Sequence, residues 1–209
     1  MMDSNVNADD FIFADTSAAM TPAGQRLGAP GPQNMGNPRL NLSIATLLLD
    51  ATKGSTTDPN RTRDTTPQGP LATQGTLSVR RRFVNNTGAP VTRLRFRIVD
   101  FSAFPVSGAT ADLRALTSSN ITVSGIKDSA TCASTGTPTS QPCTVTVFGT
   151  ALETPPTQAL GGALNSSYNA GTISLPTPLA PGQSINLQFL LGVQKTGSFK
   201  FFFNIEALP

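Results

Sequence analysis

RRRFVNNTGAPVTRLRFR, residues 80–97, holds six of the fifteen basic residues of a 209-residue chain. Its spacing decides between a cationic patch and a β-structure. Phe83 and, after the polar run NNTGAP, Leu94, Phe96 and Ile98 recur at alternate positions. That period is the strand period, in which successive side chains face opposite ways. The stretch therefore predicts two strands, 75–85 and 91–100, joined by a turn at Asn85, Asn86, Thr87 and Gly88. With Val79, Phe83, Leu94, Phe96 and Ile98 facing a core, Arg80, Arg82, Arg93, Arg95 and Arg97 face outward as a solvated surface that discourages edge pairing. Arg81 shares the phase of Leu77 and points inward. A half-buried guanidinium needs a carboxylate, and Asp100, on the core phase of its own strand, is the expected partner of Arg81 in a structural ion pair.

The same alternation recurs along the chain. RLNLSIATLLLD (39–50), ITVSGI (121–126), CTVTVFGTAL (143–152) and TISL (172–175) read as strands, with a further short segment near 163–168. ADLRAL (111–116) fits a helical turn or a short strand. Residues 51–70 read as a long loop. In SINLQFLLGVQKTGSFKFFFNIEALP, Ile185 to Val193 and Phe199 to Ile205 each alternate about KTG, which predicts a β-hairpin. Phe202 falls on the face opposite Phe199, Phe201 and Phe203, so it marks an outer surface that is covered in an assembly. The 18 glycines and 17 prolines divide the chain into short segments. The reading is an all-β, two-sheet antiparallel sandwich over 39–209.

Residues 1–38 differ. They are rich in Pro and Gly turn signals and read as an extended N-terminal arm. One piece alternates: Phe11 and Phe13 around Ile12 in FIFAD. An isolated strand cannot bury itself, so Phe11, Ile12 and Phe13 are expected to join a sheet edge. Residues 1–40 carry four aspartates against two arginines, net −2. That is the wrong sign for an arm that neutralises phosphates, and no exposed aromatics interleave the arginines. No nucleic acid is expected as a partner.

Cys132 and Cys143 bracket ASTGTPTSQP, a loop that lets them meet as a disulfide. Their pairing, together with only 13 % charged residues and Thr, Ser, Asn and Gln as the main polar residues, suits an extracellular or cell-surface protein. MMDSNVNADD lacks the apolar core of a signal peptide, so an exported chain would be part of a longer precursor. No eighteen-residue apolar run predicts membrane insertion.

Histidine is absent, which removes Ser-His-Asp, Cys-His and His-metal chemistry. Glu153 and Glu206 are the two glutamates, and both read as solvated. Asp58, Asn60 and Asp64 offer oxygen ligands at a spacing unlike a known calcium loop. No catalytic residue, metal, cofactor or small-molecule substrate is expected.

FVNNTGAPVTRLRFRIVD and LAPGQSINLQFLL (179–191) resemble the immunoglobulin-like modules of large secreted and cell-surface bacterial proteins, over about residues 75–209. The resemblance implies an immunoglobulin-like sandwich in which the 85–88 turn crosses between sheets. It also implies adhesion, surface display or assembly, with no catalysis. Joined to the arm, this gives the functional expectation: a bacterial extracellular structural subunit, polymerised head to tail into a filament by arm or donor-strand exchange. The alternative is a monomeric adhesion or ligand-binding module.

Overall fold

The computed structural model describes residues 44–101, 111–134, 140–153, 167–169, 177–199 and 201–208. The chain divides between Pro38 and Arg39 into two units, and all described residues belong to the second. The expected arm strand at Phe11, Ile12 and Phe13 and the expected strand at 172–175 lie outside them.

The chain is predominantly β, with antiparallel sheets. Eleven strands are described: β1 (Ile44–Leu48), β2 (Arg61–Asp64), β3 (Thr76–Asn85), β4 (Arg93–Phe101), β5 (Asp112–Leu116), β6 (Ile121–Ile126), β7 (Cys143–Val147), β8 (Ala151–Glu153), β9 (Ser167–Asn169), β10 (Ser184–Lys195) and β11 (Phe201–Leu208). A short helix, α1 (Ser129–Ala133), is capped by the Asp128 carboxylate, which accepts from Thr131 N. One sheet has the order β1-β3-β10-β5, with β2 also on β3; a second runs β11-β4-β9-β8; β6 and β7 pair alone.

β3 and β4 thus belong to different sheets, and the 85–88 turn crosses between them. Asn85 fixes the crossing. It is fully buried, its Oδ1 accepts from Thr87 N (2.8 Å) and Thr87 Oγ1 (2.6 Å), and its Nδ2 donates to Ala89 O (2.9 Å) and Leu179 O (2.7 Å). Gly182 N donates to Asn85 O. The NNTG and LAPGQ segments are therefore neighbours, tied through one asparagine.

The predicted hairpin at 185–205 is not formed. β10 pairs with β3 and β5, and β11 pairs with β4. Alternation reports which face of a strand is apolar but not which strand is its neighbour. The KTG segment, like the NNTG turn, crosses between sheets. The 51–70 loop also contains a strand, β2, registered Arg61↔Val79 and Arg63↔Leu77 on β3. RTRD has no apolar residue, so no hydrophobic period marks it; its main chain finds the edge of β3.

The two larger sheets meet in one core. Phe83 and Phe189 come from the first and Phe96, Phe201 and Phe203 from the second. Ring centroids lie 4.8 Å apart for Phe83–Phe96, 5.1 Å for Phe96–Phe189 and 5.2 Å for Phe189–Phe203. Such contacts add about 0.5–1.5 kcal/mol each beyond simple burial. A second core gathers Leu49, Val123, Ile126, Val145 and Val147 around the Cys132–Cys143 disulfide. It reaches the first sheet at β10, where Phe148 N donates to Asn186 O (2.8 Å), Gln188 N donates to Phe148 O (2.9 Å) and Asn186 Nδ2 donates to Thr146 O (3.4 Å). Ser78 Oγ donates to Gln188 Oε1 (3.1 Å), and Thr150 Oγ1 (3.0 Å) and Ser118 Oγ (3.3 Å) donate to Gln188 O.

The expectation of solvated outward arginines is not met. Arg80 and Arg82 are half-buried, and Arg95 is 1 % exposed. Alternation set their phase correctly, away from Phe83 and from Leu94 and Phe96. The outer faces at these positions are covered, which strand period alone does not reveal.

Candidate functional site: an open sheet edge beside a cationic cavity

Among the described residues, no strand pairs with the edge of β11 that faces away from β4. Phe201, Phe203, Ile205 and Ala207 alternate along β11 and pack against the core while remaining only half-buried. An unpaired edge over an apolar face is a template for another strand.

The sheets are aligned so that β5 approaches β8 at one side. That leaves β11 at the other side, with β1 and β2. β2 is held there by a buried clamp. Asp50 N donates to Asn60 Oδ1 (2.8 Å), and Asn60 Nδ2 donates to Asp50 O (2.8 Å) and Gly54 O (3.1 Å). The Asp50 carboxylate accepts from Thr52 N (2.9 Å), Thr52 Oγ1 (2.6 Å) and Lys127 N (2.9 Å). Burial raises the Asp50 pKa; the bonds from Lys127 and Thr52 outweigh it and hold the carboxyl below its ordinary value. Gly75 closes the far end of β2. Its φ is +84°, and a Cβ there would stand 2.2 Å from Asp64 O.

A cavity of about 230 Å³ runs from β2 across β3 and β10 to β5, with Phe199, just ahead of β11, in its wall. Leu77, Leu113 and Val193 give it an apolar floor; Arg61, Arg63 and Lys195 are its cations. The Arg61 guanidinium lies 5.8 Å from the centre of the Phe199 ring. Arg63 donates to the carbonyls of Asp64, Gln74 and Thr76. Arg61 has no ion pair among the described residues, whereas Arg63 attracts the Asp64 carboxylate and Lys195 stands opposite Asp112 in the β10–β5 ladder. Asp64 also accepts from Thr66 N and Gln68 Nε2, and Asp112 pairs with Arg114 at 3.1 Å.

Arg81 lies on the core phase of β3, opposite Leu187. Its guanidinium donates to Asn60 O (3.2 Å) and Arg80 O (2.7 Å). Burial, and then the like charge of Arg61, lower its pKa. The Asp100 side chain lies outside the described residues. Its backbone sits in the other sheet, opposite Phe202, at a register shift between Phe202 and Phe203. The Phe202 side chain is likewise not described. Arg80 pairs with Asp58 at 3.7 Å.

Cys132 and Cys143 form the disulfide, with Cα atoms 5.8 Å apart. The described residues contain no group of three or more His, Cys, Asp or Glu placed to hold a metal. No described helix is long and apolar enough to cross a membrane. The cavity was invisible to sequence reading because β2 was hidden in an apparent loop; the alternation of Arg61 and Arg63 was its one signal. No family model, curated protein or solved structure matches the chain.

Proposed function

We propose that this chain is a non-enzymatic, extracellular structural subunit. In this reading its domain is an immunoglobulin-like sandwich one strand short, and the N-terminal arm of a neighbouring copy supplies that strand. In immunoglobulin constant domains the sheets run A-B-E-D and C-F-G. The order β1-β3-β10-β5 corresponds to A-B-E-D, and β4 and β11 correspond to C and F. β9 and β8 extend the sheet beyond β4. The position of G is the outer edge of β11, and its lack of a partner among the described residues is the observation that carries the proposal.

Addition of an extended segment to such an edge uses main-chain hydrogen bonds for affinity and alternate side chains for specificity. FIFAD offers Phe11 and Phe13 on one face, matching the half-buried row Phe201, Phe203, Ile205 and Ala207. A contact from arm to edge is head-to-tail and does not close on itself, so it propagates as a filament. The disulfide supports an oxidising setting.

Deleting residues 1–20 tests the reading. Loss of assembly by light scattering and electron microscopy, with the fold of the domain kept, is expected. Loss of the fold itself would point to a self-docked arm and a monomeric module.

A further inference from the structure

We infer that the cavity lined by Arg61, Arg63 and Lys195 receives the carboxylate of Asp15 from the incoming arm, and so sets the direction and register of the added strand. This inference rests on the strand-exchange reading above.

Charge comes first: Arg61 stands over the apolar floor of Leu77, Leu113 and Val193 with no ion pair among the described residues, and Arg81 adds a half-buried like charge beside it. Cations gathered at the margin of a core are stabilised by an acid that arrives with its own apolar cover. The arm is the acidic part of an otherwise basic chain. In DDFIFAD, Asp9, Phe11, Phe13 and Asp15 share one strand phase. When Phe11 and Phe13 face the core, Asp15 faces the same way, toward the sheet that carries β2.

Direction then selects between the two acids. All strand ladders described in this protein are antiparallel. Antiparallel addition to β11 lays Phe11 and Phe13 beside Ile205 and Phe203. The C-terminal end of the added segment then reaches Phe199, where the Arg61 guanidinium sits. Asp15 arrives at the cavity and Asp9 at the opposite end. Parallel addition would exchange them.

The test uses the full chain. Asp15→Asn is expected to raise the concentration needed for assembly by about tenfold, as for loss of one partner in a half-buried charge pair. Asp9→Asn is expected to leave it nearly unchanged. Arg61→Glu is expected to abolish assembly, and Arg61→Glu combined with Asp15→Arg to restore it. Lys195→Gln, at an exposed position, covers the case in which Arg61→Glu disturbs folding; it should weaken assembly at an unchanged melting temperature. A neutral Asp15→Asn, or a stronger effect from Asp9→Asn, overturns the assignment. The parent reading fails separately, if chains lacking residues 1–20 assemble as well as the full chain.

Discussion

Asp50 and Asn60 are polar, fully buried and satisfied. A buried polar pair of this kind holds a loop only while every bond is made, because an orphaned group costs about 1–3 kcal/mol. Asp50→Ala leaves Lys127 N, Thr52 and their surroundings without an acceptor. It should lower stability by about 2–3 kcal/mol in urea unfolding. The Asp50 carboxyl is held below its ordinary value, so its contribution is complete above the unfolded-state pKa of about 3.9 and fades as pH falls through the folded value. The stability gap between wild type and Asp50→Asn, followed by thermal melting, should therefore narrow below about pH 4. Phe189 is fully buried and meets Phe83, Phe96, Phe201 and Phe203. Phe189→Ala should cost about 3–5 kcal/mol, near the limit for a single substitution.

At the scale of elements, the strands of the core were legible and their neighbours were not. Leu94 and Phe96 announce β4, and Ile185 to Val193 announce β10, because each carries its apolar side chains on one face. β2 escaped notice because RTRD is held by main-chain bonds and by Gly75, not by apolar side chains. Gly75→Ala should destabilise the domain by more than about 1 kcal/mol, since Cβ meets a carbonyl at a left-handed φ. It should also raise hydrogen exchange at Arg61–Asp64 ahead of the core strands. The β10–β11 pairing was misread for a related reason. A short polar link between two alternating strands suits a hairpin or a crossing equally well. What decides is the partner available: β3 for β10 and β4 for β11. The disulfide was legible because two cysteines around a turn-rich loop have few alternatives. Reduction should cost about 2–3 kcal/mol, the entropy of a loop of this size. The β6–β7 unit around the smaller core should loosen first.

At the scale of the whole molecule, two features of the described residues are left unexplained by a closed monomer. They are the edge of β11, unpaired among the described residues, and the cationic cavity beside Phe199. An acidic, alternating segment in the arm complements both in sequence, and the proposed strand exchange between copies rests on that match. The most direct measurement is intermolecular trapping. Ile12 occupies the strand phase opposite Phe11 and Phe13, and Asn204 the phase opposite Phe203 and Ile205. On adjacent strands, cysteines at these two positions share the outer face. Chains carrying Ile12→Cys are mixed with chains carrying Asn204→Cys, oxidised gently and separated without reductant. A covalent dimer containing one chain of each kind is the predicted result, with a ladder of oligomers from the doubly substituted chain. A doubly substituted chain that closes only on itself as a monomer, or mixed chains that never join, would contradict the account.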